Sequence, residues 1–124
     1  MDSLVNLSKK ANTQIITLSN PPANTFNTKL LYQMISILDN MSKDKPFIIT
    51  GNGHIFSAGL DLFHTSRMDK STFALFIDLF QKLLLKIIHH KGPTATVLNG
   101  HAVAGGFILA CSTDYRFAMH SNYK

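Results

Sequence analysis

Apolar residues recur along this chain first at strand intervals and then at helical ones, and the changes of interval mark its elements. Gln14 to Ser19 alternates and then runs apolar through Ile15, Ile16 and Leu18 before Asn20-Pro21-Pro22. It reads as a strand stopped by prolines. Asn27 or Thr28 caps a helix whose apolar positions are Leu30, Leu31, Met34, Ile35, Leu38 and Met41, a clear helical spacing. Pro46 to Thr50 is a short apolar run ending at Gly51 and reads as a buried strand. Residues 51–62, Gly-Asn-Gly-His-Ile-Phe-Ser-Ala-Gly-Leu-Asp-Leu, form a small-residue loop that feeds a helical turn.

After Asp69 or Ser71 the spacing predicts a long helix. Its stripe, Phe73, Phe76, Ile77, Phe80, Leu83, Leu84, Ile87 and Ile88, is expected in the core. Gly92-Pro93 ends it. Thr94 to Leu98 is a short β-rich run, Asn99-Gly100 a turn, Ala104-Gly105-Gly106 the opening of an apolar helix from Phe107 to Cys111, and Asp114 to Ala118 a last strand. This alternation argues for an α/β chain. A strand, a loop and a helix follow one another twice, at 47–62 and 94–111, and function is to be sought in that duplication.

The 124 residues suit one domain, expected over 1–124, with 45% apolar and 15% charged residues, which excludes a disordered tail. The greasiest segment, Phe73 to Ile88, carries Asp78, Gln81, Lys82 and Lys86, which argues against a membrane span. A single cysteine, Cys111, leaves no internal disulfide and permits a reducing compartment. Residues 1–10 show neither a secretory apolar core nor arginine, so neither a signal nor a transit peptide is expected, and Ser121 to Lys124 is not a peroxisomal tripeptide. The formal charge is +5, but the lysines are scattered singly or in the pair Lys9–Lys10, with no basic stripe between aromatics, so nucleic acid is not the expected partner. All seven acidic residues are aspartates. A mechanism that needs a glutamate must find it outside this sequence.

A small-residue loop in front of a helix lets a ligand approach backbone N–H groups that lack helical partners. Two such termini facing one point can hold a single oxygen between two donors, an oxyanion hole for charge developing on a carbonyl. Two glycine-containing connections also occur in any α/β domain, so spacing alone leaves this open. Ser57 stands in no Gly-x-Ser-x-Gly elbow, Gly51-Asn52-Gly53 is not followed by glycine at position 56, and no Gly-Lys-Ser/Thr closes a P-loop. The chemistry suggested is stabilisation of an enolate, with the proton-moving group supplied elsewhere.

Four segments carry a family resemblance. Asn20-Pro-Pro-Ala-Asn-Thr25, Phe56-Ser-Ala-Gly-Leu-Asp-Leu62, Asn99-Gly-His-Ala-Val-Ala-Gly-Gly106 and Asp114-Tyr-Arg116 resemble the crotonase, or enoyl-CoA hydratase/isomerase, superfamily in order and spacing. The flavour is that of the Δ3,Δ2-enoyl-CoA isomerase branch. The resemblance implies a crotonase-like spiral of ββα units that binds acyl-CoA, here truncated to its N-terminal half, since the family core is about twice this length. It implies backbone N–H donors at Leu60 and Gly105 as the catalytic oxyanion hole. It further implies contact of Ser57, Ala58, Gly59, Leu60, Asp61 and Gly105 with the substrate, whose CoA adenine meets the 57–60 backbone. No cofactor beyond the substrate's own CoA and no metal is implied. The full-length parent is expected to be a homotrimer or hexamer, mitochondrial or peroxisomal by family or cytoplasmic if bacterial-like. The hydratases carry a glutamate three residues after the glycine donor, where this chain has Ile108, and an apolar side chain cannot activate water. The isomerases keep an apolar residue there and use one glutamate further downstream. The implied reaction therefore moves a 3-enoyl-CoA double bond to position 2 in β-oxidation. A binding module with the hole but no base is the alternative, and the chain is expected to be inactive alone.

Other residues invite roles. None of the six histidines, His54, His64, His89, His90, His101 and His120, forms a His-x-x-x-His pair. His101, beside the proposed hole, is either a proton carrier or a loop residue. Asp61 is a catalytic candidate but more simply a helix cap. Asp114 is expected to anchor a strand start, and Cys111 to lie buried on the apolar side of its helix. Lys9, Lys10, Lys91 and Arg67 are candidates for CoA phosphates, against the plain reading of scattered surface cations.

Overall fold

The computed structural model describes residues 3–118 and His120. The chain runs β1 (Val5–Lys10), β2 (Thr13–Leu18), α1 (Thr28–Asn40), β3 (Phe47–Gly51), β4 (Ile55–Ser57), α2 (Leu62–Thr65), α3 (Lys70–Ile88), β5 (Thr94–Leu98), β6 (His101–Ala102), α4 (Gly105–Cys111) and β7 (Tyr115–Ala118). The larger sheet has the order β1-β2-β3-β5-β7; β1 and β2 are antiparallel, and every later pair is parallel. Parallel neighbours need crossovers, which α1, α3 and α4 supply. The short parallel pair β4–β6 forms a second sheet from the two loops that link strand to helix.

Helix starts follow side-chain chemistry. The carboxamide Oδ1 of Asn27 accepts the Leu30 N–H at 2.8 Å, and the carboxylate of Asp69 accepts the Thr72 N–H at 2.7 Å. Each satisfies one of the donors that a helix start leaves open. All six apolar positions read for α1 are buried, and its buried face packs toward α3. Lys86 of α3 reaches Asp39 of α1 at 2.6 Å on the exposed side.

The stripe of α3 is only half core. Phe76, Phe80, Leu83 and Ile87 are buried, Ile77 and Leu84 are half-buried, and Phe73 and Ile88 are exposed. The apolar face is wider than the surface that α1 and the sheet offer it. Cys111 is likewise exposed, contrary to the sequence reading. In α4 the residues Gly105, Gly106, Leu109 and Ala110 face inward. Phe107, Ile108 and Cys111 fall on the opposite stripe, so this helix has two apolar faces and only one meets the sheet. Strand β7 is exposed along its whole length and pairs only with β5.

Three strands are additions to the sequence reading. β1 pairs with β2 through all six of its residues, but only Val5 is buried. β4 and β6 lie within what reads as loop and turn. Among the described residues no helix is long and apolar enough to cross a membrane.

Leu31→Ala should cost about 2–5 kcal/mol, since Leu31 is 0% exposed. Ile88→Ser should stay within about 0.5 kcal/mol, since Ile88 is 58% exposed. Urea denaturation of both variants checks the pair. A second check concerns acid. The Thr72 N–H holds the Asp69 carboxyl below its ordinary value, and the hydrogen bond from Lys86, with Lys43 and Lys82 nearby, does the same for Asp39. With folded values depressed, the stability these groups contribute is present at neutral pH and lost as pH falls through them. Carboxyl NMR titration should find both below the ordinary aspartate value.

Candidate functional site

The site is built where the loop after β4 meets the loop after β6. Asn24, buried and at a positive φ of 51°, organises the first loop. Its side-chain amide donates to the carbonyls of Asn52, Ile55 and Phe56 at 3.2, 2.9 and 3.1 Å, and its Oδ1 accepts the Asn20 N–H at 2.8 Å. Its own carbonyl accepts the hydroxyl of Ser57 at 2.8 Å, and that hydroxyl accepts the Gly59 N–H at 3.0 Å. The strand-like contact of Phe26 with Leu60 completes the frame. The Phe26 N–H donates to the Gly59 carbonyl at 2.8 Å, and the Asp61 N–H to the Phe26 carbonyl at 3.0 Å.

The second loop lies directly against the first. The Val103 N–H donates to the Ser57 carbonyl at 3.0 Å. A Cβ on Gly59, whose φ is +92°, would come within 2.8 Å of the Gly105 nitrogen, and one on Gly106 within 2.2 Å of the Ser57 carbonyl oxygen. Only hydrogen fits at either position. A Cβ on Gly105 would stand 3.4 Å from the Leu60 nitrogen, which puts the two amides side by side. Ala104 takes a positive φ of 50° just before Gly105, a conformation that costs an alanine energy and turns the chain into α4. Neighbouring amides are paired: Ala58 to Ala23, Gly106 to Val103 and Ile108 to Ala104. Among the described residues neither the Leu60 nor the Gly105 N–H has an acceptor in the chain.

Both residues line one cleft of about 400 Å³, together with Ala58, Leu62, Ile77, Phe80, Ala104 and Ile108. Among the described residues the lining holds no carboxylate. Among the residues named from the sequence, Ala58, Leu60 and Gly105 come to this wall. Ser57 and Gly59 lie behind it, buried, and Ser57's hydroxyl holds the loop as both donor and acceptor. Asp61 caps α2, its carboxylate accepting the His64 N–H at 3.1 Å. His101, on β6, is exposed and does not line the cleft. Asp114 ties the start of β5 by accepting the Thr94 N–H at 2.9 Å. Lys91 belongs to a different groove, between the ends of α1 and α3, and Arg67 stacks over Phe63 at 4.2 Å. Among the described residues no three His, Cys, Asp or Glu side chains converge as metal ligands.

Sequence reasoning did not assign a role to Asn24, although it stands in a segment that carries the resemblance. It also took Ile77 and Phe80 as core alone, whereas both also form the α3 wall of the cleft. Helical period cannot separate a residue covered by protein from one that borders a cleft.

Comparison with known proteins places this arrangement. The sequence model of the enoyl-CoA hydratase/isomerase family matches residues 8–122, and the chain belongs to that family. A probable enoyl-CoA hydratase of Bacillus subtilis is 32% identical over 108 residues, which cover 84% of this chain and 42% of that protein. The mitochondrial enoyl-CoA delta isomerase 1 of Rattus norvegicus is 30% identical over 125 residues, covering 98% of this chain and 43% of that protein. The crystal structure of an enoyl-CoA hydratase from Thermoplasma volcanium matches with a TM-score of 0.88 at 28% identity, over 94% of this chain and 48% of that one. The fold is therefore a crotonase-type one, and the chain spans about half the length of the relatives it matches, or somewhat less.

Asn24→Ala should take away the amide that the Asn52, Ile55 and Phe56 carbonyls share, leaving Ile55 only the longer bond from Asn99 at 3.3 Å, and cost about 1–3 kcal/mol, more than a solvent-exposed asparagine would. Thermal unfolding against an Asn12→Ala control measures the difference.

Proposed function

We propose that this chain supplies the acyl-CoA-binding half of an enoyl-CoA isomerase. Such an enzyme shifts a 3-enoyl-CoA double bond to position 2 in fatty-acid β-oxidation. The observation that carries the reading is the pair of unpartnered amides, Leu60 and Gly105, at the mouth of one apolar cleft. A thioester oxygen set between them would accept both N–H groups. When a base removes the proton at C2, the electron pair passes through the conjugated system onto that oxygen. The hole would stabilise the dienolate, and return of the proton at C4 would leave the double bond between C2 and C3. Two preorganised donors are the kind of group that stabilises such charge most. The backbone from Ser57 to Leu60 would meet the CoA adenine.

Ile108 favours isomerisation over hydration. It stands in the cleft lining, 49% exposed, where the hydratase pattern implied by resemblance needs a carboxylate to activate water. Relatives of both names are similar to this chain, so the choice between branches rests on that residue. The base would be a glutamate outside this sequence, which contains none. One observation favours a second reading, an acyl-CoA-binding module without chemistry: no carboxylate lines the cleft, and Asp61 is engaged in its own helix.

Calorimetry of the chain with a 3-enoyl-CoA should show binding, and Gly59→Val should abolish most of it, since the new side chain enters the space of the Gly105 amide. Equal affinity in that variant sinks the proposed hole. Turnover by the chain alone should fall short of an intact isomerase by about 10²–10⁴-fold, the usual cost of a missing general base. Equal turnover would show that the base lies within these residues.

A further inference from the structure

We infer that His64 is a positioning residue for the Leu60 donor, a latch that fixes the single turn α2 to the start of α1. A one-turn helix has no stability of its own, because nucleation costs more than its few hydrogen bonds return. Yet α2 follows Leu60 after one residue, and its first residue, Leu62, lines the cleft. Something must hold the turn if the Leu60 N–H is to keep its direction.

On the N-terminal side the tie is backbone: Phe26 to Gly59 and Asp61 to Phe26. On the C-terminal side it is an imidazole. The Nε2 of His64 accepts the Thr28 hydroxyl at 2.9 Å and the Thr28 backbone N–H at 3.4 Å. A backbone N–H can only donate, so Nε2 is the bare nitrogen and the proton of the neutral ring sits on Nδ1. Thr28 is the first residue of α1, whose N–H has no helical partner, so the same ring serves that helix start. The ring edge also rests on Phe76 of α3, centroids 5.9 Å apart. One side chain thus joins three helices four residues from Leu60. Donors in a working hole must be held within about 0.5 Å, and a fraying turn next to Leu60 would not do so.

The functional half of this inference rests on the acyl-CoA reading; the structural half does not. Three measurements test it on the chain. Ring ¹⁵N shifts should report Nε2 of His64 as unprotonated at neutral pH. Hydrogen exchange at the Asp61 amide should quicken in His64→Leu and in Thr28→Val, which removes the hydroxyl from the other side, and should remain near wild type in His64→Gln, which keeps an acceptor. Affinity for a 3-enoyl-CoA should follow the same order, with about a tenfold loss in His64→Leu. A ring protonated on Nε2, or exchange in Thr28→Val identical to wild type, overturns the latch. Exchange that behaves as expected while affinity is unchanged across the variants overturns the positioning role. If wild type binds no acyl-CoA, the functional reading fails, while the ring shifts and exchange still decide the latch.

Discussion

Everything at the candidate site depends on two stretches of main chain lying closer together than side chains allow. Residues 57–60 and 103–106 meet backbone to backbone, with Gly59 and Gly106 at the points where a Cβ would strike a peptide atom. That contact places the Leu60 and Gly105 amides beside each other. It is maintained from behind, by Asn24 and Ser57, whose side chains donate to and accept from carbonyls and amides of the loops. Buried polar groups so fully paired hold one arrangement, because any other leaves a partner unsatisfied at a cost of about 1–3 kcal/mol each.

The rest of the fold brings these loops together. Parallel pairing of β3 with β5 puts the C-terminal ends of both strands at the same end of the sheet, and both loops leave from that end. The small β4–β6 pair fixes their register. Helix α3 closes the cleft from the side with Ile77 and Phe80, so a residue that fills the core also borders the cleft. The division of labour is plain: side chains shape and support, and peptide groups line the wall where the two loops meet.

Much of this was legible in sequence where a pattern ran long enough. The α1 stripe was read correctly because its six apolar residues all meet the sheet or α3, and Asn27 and Asp69 are caps by side-chain chemistry alone. Strand β1 was missed because an edge strand with one buried residue, Val5, leaves no alternation to read. Strands of three and two residues fall below any period. Phe73, Ile88 and Cys111 were misplaced for a different reason: their spacing is truly helical and apolar, but burial needs an opposing surface, which periodicity cannot report. The glycines read from sequence as room for a ligand; that Gly59 and Gly106 let the two loops touch was not legible, and neither was Asn24's role. A lone asparagine in a turn usually serves only its own turn, and this one reaches carbonyls 28 to 32 residues away.

A surface made of peptide groups has an evolutionary consequence. Substitution changes side chains and leaves amides in place, so such a surface can outlast nearly complete replacement of its surroundings, provided a few small residues keep the path of the chain. The fold of this chain is kept in a solved relative at 28% identity. A side-chain constellation would have to be preserved atom by atom over that distance. A main-chain one need preserve only the places where nothing larger than hydrogen fits, and the chemistry around it is then free to diverge.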